Sequence, residues 1–85
     1  MELKDTIEMM NNPDYKERFK AEYWQTKIRY GKLFDMLVKY KAGTLSFVPR
    51  CSFDLLYEQA QHMGRYILLL EARAEIEGID LWEQS

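Results

Sequence analysis

Residues 55–73 read Leu55-Leu56-Tyr57-Glu58-Gln59-Ala60-Gln61-His62-Met63-Gly64-Arg65-Tyr66-Ile67-Leu68-Leu69-Leu70-Glu71-Ala72-Arg73, and this stretch decides the fold. Gln, Arg and Glu interrupt it too often for a membrane span, and it is too apolar for an isolated surface helix. Leu56, Ala60, Met63, Ile67, Leu70 and Ala74 recur at helical spacing and form one seam. Leu55, His62, Tyr66, Leu69 and Ile76 fall in a different sector of the same helix. A helix that is apolar on more than one side must be covered on more than one side. The chain offers one other long helix to cover it, so the pattern predicts a helical hairpin that assembles with copies of itself.

That second helix lies upstream. From Pro13 to about Lys41 there is no further proline and the one glycine is Gly31, so residues 13–41 read as one long helix. Asn12 is a good N-cap and Pro13 suits the first helical position. Asp14 and Glu17 favour the positive end of the helix dipole, and Lys39 and Lys41 the negative end. Phe19, Thr26, Tyr30, Leu33, Leu37 and Lys41 trace its expected seam, widened by Tyr23 and Phe34. Ahead of it, residues 3–10 read as a short amphipathic helix with Leu3, Ile7 and Met10 on one side. Gly43 ends the long helix, and residues 42–51 form a loop whose Leu45, Phe47 and Val48 are expected to tuck under the hairpin. Ser52 caps a last helix over 53–77 with Asp54 in its first turn, Gly78 stops it, and residues 78–85 form a tail expected to dock back. Without β-type alternation the fold class is all-α, a single domain over 1–85: a short N-terminal helix plus a long antiparallel helical hairpin, assembling as a homo-oligomer.

Composition agrees with assembly. The chain has 85 residues, 47% of them hydrophobic and 14% aromatic. A lone domain this small buries only about 60% of its unfolded surface. A net charge of −2 gives no global basic field for duplex nucleic acid. The single cysteine, Cys51, forms no internal disulfide and fits a reducing cytosol. No signal peptide is expected, because acidic residues appear from Glu2 onward. No apolar run approaches the ~18 residues of a membrane span.

Charge is segregated along the chain. Between Asp14 and Lys41, Lys16, Arg18, Lys20, Lys27, Arg29, Lys32, Lys39 and Lys41 face four acids, which leaves +4; from Ser52 onward there are seven acids and two bases. Lys16, Lys20, Tyr23, Trp24 and Lys27 share one side of the first long helix. Cations there would contact phosphates and rings would stack on bases. The competing reading is a solvated Lys/Arg face with aromatics at the core boundary. His62 has no Cys or second His at ligand spacing, so no metal is expected. Glu71, Glu75 and Glu77 read as a solvated helix end, and Cys51 as a small packing residue. The glycines are isolated, which rules against a phosphate loop, and Gly64 is expected to allow close helix approach. No catalytic residue, enzymatic activity or cofactor is expected.

The pattern Leu55-Leu56-x-Glu58-Gln59-x-x-x-Met63-x-x-Tyr66-x-x-x-Leu70-Glu71-x-Arg73-x-x-Ile76-Glu77-Gly78-Ile79 resembles a family of very short phage proteins first catalogued in crAss-like phages. So do Glu17-Arg18 to Lys32-Leu33, containing Glu22-Tyr23, and Ala42-Gly43-Thr44-Leu45-x-Phe47 with Pro49 and Cys51. The hairpin is also similar to that of the phage anti-CBASS cyclic-nucleotide sponges. That resemblance implies a helical oligomer in the host cytoplasm that binds cyclic di- or trinucleotides without cleaving them. Capture of such a ligand would use a pocket between two symmetry-related helices, with Tyr23 or Tyr15 stacking on a base and Lys16, Lys20, Lys27 or Arg18 pairing with phosphates. Arg65 or Arg73 would serve a second pocket. Two other functions fit the same residues: a protein–protein interaction module gripping a host or virion protein, and a single-stranded nucleic-acid binder using the Lys/Tyr/Trp face.

Overall fold

A computed structural model of the chain describes residues 1–82, and the last three residues of the expected tail, 83–85, lie outside the described residues. A 3-10 turn, Leu3–Thr6, leads into the short helix α1, Ile7–Met10; the long helices α2, Tyr15–Ala42, and α3, Phe53–Glu77, follow. The described residues are helical with no strand, which is the all-α hairpin expected.

Local chemistry sets the helix ends. Two caps stand in series before α2. The Asn12 side chain accepts from the Asp14 N–H at 2.9 Å, and the Asp14 side chain accepts from the Lys16 N–H at 2.9 Å. Asp14 is therefore the N-cap, and the helix starts two residues later than the Asn12–Pro13 reading placed it. Gly43 closes α2 with φ 78°, a left-handed conformation that costs glycine little, and the Thr44 N–H reaches back to the Lys39 carbonyl at 2.9 Å. The bounds of α3 fall where expected: the Ser52 hydroxyl accepts from the Leu55 N–H at 3.2 Å, and Gly78 closes the helix with φ 69°.

The two seams meet along the hairpin, except that Phe34 and Lys41, expected in the α2 seam, are exposed. Its core is Phe19 and Tyr23 from α2 with Ile67, Leu70 and Ala74 from α3, closed at one end by Ile79 and Leu81 of the tail. The tail docks back as expected. The Trp24 indole N–H donates to the Leu81 carbonyl at 3.0 Å, and Trp82 meets the Trp24 ring edge-on at 5.1 Å. Burial of Ile79 and Leu81 contributes about 1.5–3 kcal/mol each. At Gly64 an added Cβ would lie 3.4 Å from the Tyr30 ring, so the missing side chain admits that ring between the helices.

Three expectations about apolar residues fail. Ile7 and Met10 face solvent, and the segment is instead anchored by buried Thr6, whose hydroxyl accepts from the Gln25 amide at 2.9 Å and donates to the Leu3 carbonyl at 2.6 Å. Phe47 and Val48 are exposed rather than tucked under the hairpin, Val48 at 88%. Two packed helices make one seam and provide no third layer to cover a loop. Cys51, expected as a small packing residue, is exposed.

The molecule is long and open. It measures 43 × 25 × 18 Å with a radius of gyration of 15.1 Å; a compact domain of this length has about 12 Å. It exposes 6311 Å², against about 5,300 Å² for a compact monomer of its mass. Part of the excess is the second apolar sector of α3. Leu55 is 57% exposed, Leu69 50% and Ile76 84%, with the Tyr66 ring also facing outward. The hairpin leaves this sector bare.

Candidate functional site

The basic face of α2 does not survive folding as an open surface. Tyr23 is fully buried and donates its hydroxyl to Glu71 Oε2 at 2.7 Å. It cannot stack on a base while the hairpin is folded, and its role is that of a core residue. Glu71, expected at a solvated helix end, is half-buried and accepts this bond. Lys20 is buried with its amine 3.3 Å from Glu17 Oε1, so its charge is already paired. Trp24 is half-covered and tied to the tail. Arg18 is exposed, yet its guanidinium donates to the Asn12 and Pro13 carbonyls at 2.8 and 2.7 Å and fastens the turn before α2.

The remaining residues named from sequence stay accessible. Tyr15 and Arg65 are exposed, and Lys16 and Lys27 are half-buried. Among the described residues the side chains of Lys16, Lys27 and Arg65 make no ion pair. Arg73 is exposed, lies 4.8 Å from the centre of the Phe19 ring and donates to Glu77 at 2.9 Å. Five positions of one face are thus dispersed into core, tail anchor and rim.

The other edge of the hairpin is more coherent. Thr26, Arg29 and Leu33 from α2 and Gln59 and Met63 from α3 line a groove of about 370 Å³ between the helices. Leu33 and Met63 give it apolar walls. Arg29 donates its Nε–H to the Gln25 carbonyl at 3.2 Å, which fixes the guanidinium plane and leaves its two terminal amino groups without a partner among the described residues. Beyond Thr26, Glu22 Oε1 accepts from the Thr26 hydroxyl at 3.4 Å and from the Tyr66 hydroxyl at 3.3 Å across the hairpin. Leu55 and Tyr66, four residues before and seven after Gln59 on α3, stay exposed on the same side of that helix. Arg29 and Gln59 were not singled out by sequence reasoning. Each looks like an ordinary surface residue on its own helix, and only the pairing of α2 with α3 brings them together.

This groove has the features of a small-ligand site: apolar walls, few polar groups and a free fork of donors suited to phosphate or carboxylate. His62 is exposed with Nε2 3.9 Å from Glu58, and among the described residues no group of three or more His, Cys, Asp or Glu is placed to hold a metal ion. No helix among the described residues is long and apolar enough to cross a membrane.

Both cross-helix tyrosines hold their protons more tightly in the fold. Burial raises the Tyr23 pKa well above its ordinary 10.0, and the hydrogen bond to Glu71 and its charge add to this. Burial also raises Tyr66, with the Glu22 charge and hydrogen bond adding and Arg73 opposing. An acid whose folded pKa is raised stabilises the fold fully below its unfolded pKa and loses that contribution as pH climbs toward the folded value. The melting temperature is therefore expected to be lower at about pH 11 than at about pH 9, with a shallower decline in Tyr23→Phe. An equal decline in both proteins would remove Tyr23 from the explanation.

The model of the Sequestin family matches residues 13–76, which spans α2, the turn and nearly all of α3. No curated protein and no solved structure matches the chain.

Proposed function

Because the chain belongs to the Sequestin family, we propose that it is a non-enzymatic phage protein that captures host cyclic oligonucleotide signals and keeps them from their receptors. The family's name is consistent with sequestration. The observation that carries the finer reading is the interhelical groove: a free Arg29 fork and the Gln59 amide over apolar walls, beside an uncovered stripe of α3.

Capture would work through assembly. A second copy packed on Leu55, Leu69 and Ile76 removes that stripe from water, and two-fold symmetry brings two grooves toward a common axis. Each copy then offers Arg29 to one phosphodiester of a ligand whose own symmetry is repeated, while Arg65 and Arg73 stand elsewhere on α3, Arg73 over the Phe19 ring. The exposed Tyr66 ring is the stacking surface on this edge and takes the part first given to Tyr23; Tyr15, Lys16 and Lys27 would act at a distance as rim charges and contacts. Holding the ligand is sufficient, so no nucleophile or general base is required.

Titration of the full chain with cyclic di- and trinucleotides tests this reading. Arg29→Glu is expected to weaken binding at least about tenfold, since a charge-assisted arginine–phosphate contact contributes about 1.5–3 kcal/mol. Binding that is unchanged in Arg29→Glu would remove the groove from the account. The exposed α3 stripe also favours a second reading, an adaptor that grips a host or virion protein. Failure of every cyclic nucleotide to bind, with stable association with such a protein through Leu69, would favour it.

A further inference from the structure

Gly31 is the one glycine of the four with no use inside the chain among the described residues. Gly43 and Gly78 take left-handed backbone at helix ends and Gly64 admits the Tyr30 ring, whereas a Cβ added at Gly31 would meet open space. A glycine in a helix interior weakens that helix, and it is useful where another backbone approaches closely. Gly31 is also the centre of a second seam on α2. Trp24, Lys27, Gly31, Phe34 and Val38 alternate by three and four residues and share a side about a quarter turn from the face that meets α3. Phe34 and Val38 are exposed there, and exposed Trp82 extends the same surface from its edge-on contact with Trp24. Charge is balanced about the same point. Lys27 lies four residues before Gly31 and Asp35 four after, so each stands about 6 Å from it along the axis and about 40° to one side or the other. Neither makes an ion pair among the described residues.

We infer that a second copy of this chain docks on this seam, α2 against α2 and antiparallel, across a two-fold axis at Gly31. With no side chain between them, the two helix backbones approach closely at that point. Val38 of one copy comes level with Trp24 of the other, which covers exposed Trp82, and Phe34 is covered beside the paired glycines. The axis also brings Lys27 of each copy level with Asp35 of the other, so one operation forms two opposite-charge pairs. A parallel contact would set Lys27 against Lys27 and Asp35 against Asp35 and is disfavoured. A partner of another kind would have to match both the notch and this order of charges; a second copy does so by symmetry. The contact is separate from the α3 stripe and stands without it. Where both form, two different two-fold contacts per chain assemble four chains.

Sedimentation of the full chain, with circular dichroism as the check on folding, tests this. The parent is expected to have the mass of four chains and Gly31→Glu that of two, with helicity not reduced, because glutamate is a better helix former than glycine. Leu69→Glu is also expected to leave two chains, held by α2 alone, and its combination with Gly31→Glu to leave monomers. Introduced into Leu69→Glu, Lys27→Glu and Asp35→Lys should each raise the dissociation constant of the α2 contact at least about tenfold, and the two together should restore it, since the pairs re-form with their signs exchanged. A two-chain parent that Gly31→Glu dissociates and Leu69→Glu leaves intact would support this contact while removing the α3 one. A mass unchanged by Gly31→Glu would overturn the inference, and a double exchange no tighter than its single variants would overturn the antiparallel register.

Discussion

Replacing Tyr23 with alanine is expected to cost about 3–5 kcal/mol, as for other large buried aromatics. Domains of this size have only about 5–15 kcal/mol to lose. The ring sits at the centre of the core with no exposed surface, edge-on to Trp24 at 5.1 Å, and its hydroxyl is bound to Glu71 on the opposite helix. Alanine would leave a cavity between the helices, deprive half-buried Glu71 of its donor and loosen Trp24, the tail's anchor. At about 4–8 °C per kcal/mol, the melting temperature should fall by more than ~12 °C. Tyr23→Phe isolates the hydroxyl and should cost about 1–3 kcal/mol. Thermal unfolding followed by circular dichroism measures both. An unchanged melting temperature in Tyr23→Ala, combined with lost ligand affinity, would return Tyr23 to a binding role and contradict the packing seen here.

Leu69→Glu is expected to break the assembly without breaking the hairpin. Leu69 points away from α2 and is half-exposed in the single chain, so the substitution costs the fold little. At a two-fold contact the same change acts twice: it removes two apolar side chains, each contributing about 1.5–3 kcal/mol, and places two carboxylates near each other. Sedimentation at micromolar concentration should show a multiple of the 10.2 kDa chain for the parent and a shift to smaller species for the variant, with helicity unchanged. A parent that sediments as a monomer would leave the exposed stripe for another partner and favour the adaptor reading.

The bounds and core seam of α3 were legible in the sequence because their signals are local. Ser52 and Gly78 bound it, and one seam of Leu56, Ala60, Met63, Ile67, Leu70 and Ala74 faces the core. The start of α2 was displaced because Asn12 and Asp14 are both good caps, and only the extended backbone at Asp14 selects between them. Tyr23 carried two readings for a geometrical reason. It is four residues from Phe19 in the seam and seven from Lys16 on the basic face, so it lies at the boundary of both. Residues distant in sequence decided between them: Glu71, 48 positions away, and the tail that holds Trp24. Lys20 was settled by burial and by Glu17, three positions back on the same helix. Arg29 and Gln59 could not be found from periodicity, because the groove exists only once α2 and α3 pair. The exposure of Phe47 and Val48 follows from there being no third layer, a property of the whole chain.

The central claim is capture of a cyclic oligonucleotide without turnover. Its most direct measurement is a titration of the unmodified protein with cyclic di- and trinucleotides, followed by chromatography of the ligand released on denaturing the complex. The account predicts saturable binding to an oligomer and recovery of the ligand intact after prolonged incubation. No binding of any cyclic oligonucleotide, or recovery of a linear product whose formation depends on a residue of this chain, would contradict it.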